Sequence, residues 1–285
     1  MLESISLTHQ GLVRERNEDS LICNESLSLW GVADGVGGNG HGDVASQLAA
    51  QTIERRVRQG CELGEALQEG NKALSLAIEG QGELAGMAST AVVCRFENHQ
   101  FELAWVGDSR AYLLNNEGIY QLTTDHNVAN DLFENGLIEQ KALRLHPGQH
   151  QLTQALGQMT LGNVPVKIGE LLDDHYLLLC TDGLTGVLSD EQIHQVVMSS
   201  NSLKSASDTL LQQVLDKGAP DNVTFALLKF HENKLKTKAS TSLRDSLYLN
   251  YRRPFDKDAY LKHCKSRPML LFLVLLSIVT LIFFI

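Results

Sequence analysis

The apolar positions of the first 231 residues change period several times along the chain. Val44, Ala45, Leu48, Ala49, Ile53 and Val57 recur at helical spacing, and so do Leu203, Ala206, Leu210, Leu211, Val214 and Leu215. Each set predicts an amphipathic helix, the first beginning near Asp43. Short apolar or alternating runs, Leu27–Ala33, Thr90–Phe96, Phe101–Val106, Ala111–Leu114, Tyr176–Cys180 and Val223–Phe230, predict strands. Several follow one another too closely for parallel crossovers, so antiparallel sheets with helices packed outside them are expected. Residues 127–165, with Gly136, Pro147, Gly148, Gly157, Gly162 and Pro165, read as a partly helical insertion or flap over one end.

Beyond His231 the pattern changes. Residues 232–266 lack sustained apolar periodicity and are rich in Lys, Ser and Thr near Lys234–Ser242, which predicts a solvated, basic juxtamembrane linker. From Met269 to Ile285 the chain is apolar apart from Ser277 and Thr280. At about 1.5 Å per residue this stretch reaches roughly 25 Å, enough for a thin hydrocarbon core. The expected organisation is a main domain at 1–231, the linker at 232–266 and a transmembrane helix at 267–285.

Charge sharpens that division. Of 24 Lys/Arg and 34 Asp/Glu, residues 232–285 hold 10 and 4, a net +6, while residues 1–231 carry −16. An acidic main domain excludes nucleic acid as its partner. Arg252, Arg253, Lys257, Lys262, Lys265 and Arg267 precede the apolar tail, and the positive-inside bias puts that side, with the main domain, in the cytoplasm. The expected location is therefore a membrane, through a single-pass C-terminal anchor whose basic flank meets anionic lipid. The five cysteines are scattered without a C-x-x-C pair, which suits a reducing compartment.

Candidate chemistry lies at Asp-containing turns. Asp34-Gly35 follows one strand-like run, Asp108-Ser109 another and Asp182-Gly183 a third, while Asp221-Asn222 opens the last; Arg14 to Asp19 form a charged turn before Ser20-Leu21-Ile22-Cys23. Each alone is ordinary turn chemistry. Together, at one sheet edge, four carboxylates would repel strongly, and two or three divalent ions would turn them into an all-oxygen site suited to Mg²⁺ or Mn²⁺. Gly35-Val36-Gly37-Gly38-Asn39-Gly40 also satisfies a dinucleotide-binding spacing. That reading is rejected, because no parallel βαβ unit follows and Asp34 would repel a pyrophosphate.

The ordered set Arg14-x-x-Asn17-Glu18-Asp19, Asp34-Gly35-x-Gly37-Gly38, Gly86-x-x-Ser89-Thr90, Gly107-Asp108-Ser109-Arg110, Leu122-Thr123-x-Asp125-His126, Leu152-Thr153-x-Ala155-Leu156-Gly157, Cys180-Thr181-Asp182-Gly183-Leu184 and Asp221-Asn222-Val223-Thr224 resembles the metal-dependent type 2C Ser/Thr protein phosphatases, in their compact bacterial branch. The resemblance covers about residues 1–231. It implies an α+β fold, a four-layer α-β-β-α sandwich of two antiparallel sheets flanked by helices. It also implies hydrolysis of phosphoserine and phosphothreonine in proteins by a metal-activated water, with two core Mn²⁺ or Mg²⁺ ions and room for a third.

By that resemblance Asp34 bridges two ions, the Gly35 carbonyl completes one, and Asp182 and Asp221 hold the other. Glu18 and Asp19 act through ordered water, Asp108 with Asp182 supports a third ion, and Arg14 binds the substrate phosphate. Phosphorylated proteins and an opposing Ser/Thr kinase are the implied partners. The chain departs from some eukaryotic members, which carry a His after Asp-Gly where this chain has Val36. Val36 cannot donate a proton, so the leaving group is expected to take its proton from metal-bound water or another residue; His41 and His126 lie nearby in sequence but read first as structural hydrogen-bonders. Two other readings compete: a membrane-tethered adaptor that binds phosphoproteins without turnover, and a phosphatase for small phosphate esters.

Overall fold

The computed structural model describes residues 2–37 and 40–231. The expected linker 232–266, the apolar helix 267–285 and Gly38 lie outside the described residues. Among the described residues no helix is long and apolar enough to cross a membrane.

The strands are β1 (Leu2–His9), β2 (Asp19–Asn24), β3 (Leu29–Val36), β4 (Ala88–Ser89), β5 (Ala91–Glu97), β6 (Gln100–Val106), β7 (Arg110–Asn115), β8 (Gly118–Gln121), β9 (Val166–Glu170), β10 (Tyr176–Cys180) and β11 (Val223–Phe230). The helices are α1 (Gly42–Arg58), α2 (Leu63–Gly80), α3 (Val128–Glu134), α4 (Asp182–Thr185), α5 (Asp190–Ser199) and α6 (Leu203–Asp216). One sheet runs β1-β11-β10-β7-β8 and the other β2-β3-β5-β6-β9, with β4 paired to β3. Every pairing is antiparallel, as the short connections require.

Strand alternation explains the layering. On β5, Ala91 and Val93 pack with α1 and α2, whereas Val92 and Cys94 face the second sheet. On β10, Leu178 and Cys180 pack with α4, α5 and α6, whereas Leu177 and Leu179 meet β5 and β6 between the sheets. Three apolar layers therefore separate four layers of secondary structure, helix–sheet–sheet–helix. The inter-sheet layer holds Trp30, Phe96, Phe101 and Trp105, with the Trp30 and Phe96 rings edge to face at 5.8 Å.

One expectation changes. Residues 127–165 are partly helical, as anticipated, but they are not a free flap. Leu156 is fully buried against the α1–α2 layer, and Ser89 and Leu156 exchange backbone hydrogen bonds of 3.0 and 2.8 Å. The Asn71 carboxamide on α2 accepts from the Gly157 N–H at 2.8 Å and donates to the Gln158 carbonyl at 3.1 Å, stapling this stretch to the helix layer. The cysteines also divide. Cys94 and Cys180 are core residues, while Cys23, on β2, is exposed.

Candidate active site

Both sheets end at one cluster of carboxylates. In the β2–β3 ladder Asp19 stands directly opposite Asp34. From the other sheet, β10 ends at Cys180, Thr181 takes the N-cap position of α4 without a side-chain cap bond, and Asp182 is the first residue of that helix rather than the close of a strand. Asp221 immediately precedes β11. Thr181 ties the sheets together: its N–H continues the ladder to the Thr224 carbonyl at 2.9 Å, and its hydroxyl donates to Asp19 Oδ2 at 2.9 Å.

Close backbone approach makes glycine necessary at two of these turns. A Cβ on Gly35 would run into the carbonyls of Gly42 and Glu18, and one on Gly183 into the carbonyl of Asn222. Each Asp-Gly pair thus places a carboxylate where the next backbone segment passes within contact distance. The β3 end is further held by the Asp34 N–H donating to Thr90 Oγ1 at 3.0 Å, and by the Thr90 N–H donating to the Asp34 carbonyl at 2.8 Å.

The cluster is electrostatically unfavourable as it stands. Asp34 is held well above the usual carboxylate range by burial first, then by Asp19, Asp182, Asp108 and Asp221. Asp19 is pushed up to about 7, chiefly by burial, with Asp182 and Asp221 adding to it against the hydrogen bonds from Thr224 and Thr181. Asp108, which is 9% exposed, is likewise raised to about 7 by burial and then by Asp182 and Asp125. Asp182 is raised by burial and by Asp221. Buried like charges either take up protons or need cations between them. The donor set is all oxygen and fits hard divalent ions. Among the described residues no three His, Cys, Asp or Glu side chains are arranged to hold an ion as they stand. Asp221 is turned onto Arg14, whose Nη2 lies 2.7 Å from Asp221 Oδ2.

The remaining expected residues lie at the rim. Arg14 is half exposed. The Glu18 carboxylate accepts from the Gly42 N–H at 3.2 Å, and so caps α1, whose own N-cap His41 makes no side-chain cap bond. His126 sits beside Asp108's turn, exchanging bonds with Gly107: its Nδ1 accepts from the Gly107 N–H at 3.1 Å. His150, from the 127–165 segment, brings Nδ1 to 3.9 Å from Asp182 Oδ2.

Two positioning groups were not singled out from the sequence. Asn222 is 5% exposed; its Oδ1 accepts from the Glu18 N–H at 2.8 Å, while its Nδ2 donates to the Gln10 and Arg16 carbonyls, each at 2.8 Å. It pins the Arg14 loop to β11. Arg110 forks onto the buried Asp125, with Nη2 to Oδ2 at 2.6 Å, and its Nη1 reaches the Tyr112 hydroxyl at 3.0 Å. Both residues stand in motifs visible in the sequence, but only topology discloses their partners.

Buried carboxylates from both sheets with a guanidinium at the rim suit chemistry on a phosphate ester, and comparison with known proteins supplies the family. Residues 5–135 match the family model described as protein phosphatase 2C. The chain is 32% identical over 235 residues to the Serine/threonine phosphatase stp of Listeria welshimeri, covering 78% of this chain and 93% of that one. The crystal structure of the Mycobacterium tuberculosis serine/threonine phosphatase PstP/Ppp superposes with a TM-score of 0.75 at 30% identity, over 81% of this chain and 99% of that one. A structure of the PstP catalytic domain in complex with two manganese ions gives a TM-score of 0.71 at 29% identity, over 80% of this chain and 97% of that one. The chain belongs to the protein phosphatase 2C family, and it is an enzyme of the protein phosphatase class.

Two outcomes are expected. Asn222→Ala leaves three backbone groups without their partner and should lower unfolding free energy by about 2–4 kcal/mol in urea titration; a loss below roughly 0.5 kcal/mol would contradict its pinning role. For pH, the folded chain keeps protons on Asp19 and Asp108 up to about 7, whereas the unfolded chain releases them near the ordinary value of 3.8. Stability of the chelated protein must therefore fall as pH rises between those limits. Its melting temperature should be higher at pH 5.5 than at pH 7.5, with added Mn²⁺ narrowing the difference; the reverse order would sink this electrostatic account.

Proposed function

We propose that the chain hydrolyses phosphoserine and phosphothreonine in proteins at a site of two divalent ions, Mn²⁺ or Mg²⁺, with a third ion held more weakly. The observation that carries this reading is the cluster of buried, mutually repelling carboxylates drawn from both sheets, with a guanidinium at its rim, in a member of a phosphatase family. Asp34, the Gly35 carbonyl, Asp182 and Asp221 would hold the two core ions, as oxygen donors suit hard divalent cations. Asp108 with Asp182 would hold the third, and Glu18 and Asp19 would act through water around the ions.

When bound, the ions supply Lewis acidity, neutralising phosphoryl oxygens and activating water at neutral pH. Arg14 exchanges Asp221 for the substrate, its planar fork matching two phosphoryl oxygens. No side chain is needed as nucleophile. Burial holds the Cys94 and Cys180 thiols well above their ordinary range, so both stay protonated. Two manganese ions in the related PstP catalytic domain support the choice of metal.

The expected result for the purified full chain is release of phosphate from phosphothreonine peptides with Mn²⁺, lost on chelation and reduced at least about 100-fold by Asp34→Asn. Turnover that survives chelation would end the metal reading. Hydrolysis of small esters alone would favour a small-ester phosphatase.

The organisation proposed is a phosphatase domain at 1–231, a basic linker at 232–266 and a membrane-spanning helix at 267–285, with catalysis at the cytoplasmic face. Its support is the apolar run Met269–Ile285 and the basic residues before it. A membrane-associated Ser/Thr kinase is the natural opposing partner. Carbonate extraction should leave the full chain with the membrane pellet, and release into the supernatant would rule out insertion.

A further inference from the structure

We propose that Leu12 and Val13, the two side chains preceding Arg14, form a shelf that selects substrate by taking an apolar residue next to the phosphorylated Ser or Thr; this rests on the phosphoprotein reading above. Among the described residues nine large hydrophobic side chains are exposed, and Leu12 and Val13 stand 64% and 68% open. Four of the nine lie on the two segments that carry site residues. Leu12 and Val13 lie on the loop that carries Arg14, while Val36 and Val44 lie on the β3–α1 corner that carries Asp34 and Gly35. Glu18 joins the two flanks, since its chain belongs to the Arg14 loop and its carboxylate caps α1 at Gly42.

The loop is built rigidly, which distinguishes a shelf from a frayed turn. Gly11 adopts φ +79°, with its backbone packed against the carbonyls of Asp221 and Ala219. The Leu12 N–H donates to the Ala219 carbonyl at 2.9 Å, and Gln10 Nε2 donates to the Arg14 carbonyl at 2.7 Å. Asn222 holds Gln10 and Arg16 on either side. Leu12 and Val13 are thus presented outward by fixed backbone, in a unit whose net charge of −16 otherwise favours polar surface.

Reach sets the occupant. A phosphorylated side chain seated on Arg14 places its own backbone just outside the loop, and the neighbouring residues follow at about 3.8 Å per Cα step. Their side chains then fall on the residues beside Arg14. An apolar side chain there leaves water together with Leu12 and Val13, whereas a polar one gains nothing. The neighbour is therefore selected by burial, while the phosphate is recognised by charge.

The test uses the full chain with Mn²⁺ and two phosphothreonine peptides that differ only in Leu or Ser at both positions flanking the phosphoresidue. Wild type should favour the Leu peptide in kcat/KM by about fivefold or more, mainly through KM. In Leu12→Ser/Val13→Ser the ratio should fall to about one, with the melting temperature reporting that the fold is intact. Val13→Ser alone, the milder variant, should lower the ratio part of the way. A wild-type ratio near one, or a preference that persists in the double variant, would overturn the shelf. Hydrolysis of neither peptide by wild type would instead overturn the phosphoprotein reading, and the shelf with it.

Discussion

Mutual repulsion among buried carboxylates is the constraint on which the rest of this structure depends. Asp19 and Asp34 come from one sheet, Asp182 and Asp221 from the other, and Asp108 from the turn after β6. In water such a group would disperse. Here burial and neighbouring charge raise the proton affinity of four of the five. A fold that concentrates negative charge in this way gives up stability in the metal-free state, a cost that divalent ions at the proposed site would offset.

The scaffold that holds this arrangement is rigid for ordinary reasons. Alternating strand residues fill three apolar layers, so the two sheets are fixed against each other from Trp30 and Val32 to Leu177 and Leu179. At the site end, hydrophobic burial gives way to backbone contact and short polar bonds: Gly35 against Gly42, Gly183 against Asn222, and Thr181 across to Asp19. Behind Asp108, the Arg110–Asp125 pair and the Tyr112 hydroxyl, which donates to Asp190 Oδ1 at 3.3 Å, extend polar structure into the α5 layer. The site is therefore braced from both helix layers.

Much of this was legible in the sequence. The α1 and α6 periodicities and the six main strand runs all correspond to observed elements, with limits shifted by a few residues. β1, β8 and β9 are not among the predicted strands: all three are edge strands with no fully buried side chain, so their apolar signal is weak even where β1 alternates over Ser4–Thr8, and Ile168 on β9 faces solvent. α2 was hidden by Gly64, Gly70 and Asn71, which break the helical signal but serve packing: Gly70 lies against Ile53 of α1, and Asn71 staples Gly157. The Asp turns were visible as motifs. What the linear pattern lacked was pairing: that Asp19 faces Asp34, that Asn222 fastens the Arg14 loop, and that Glu18 caps α1.

The most direct measurement of the central claim is the number of protons displaced when Mn²⁺ enters the metal-free protein. Calorimetric titrations at pH 6.5, repeated in buffers of different ionisation enthalpy, give that number. If the carboxylates retain protons until cations replace them, binding should release on the order of one proton or more per chain. Binding with no release, or with uptake, would mean that the cluster is already fully ionised and that repulsion among its carboxylates does not govern the site.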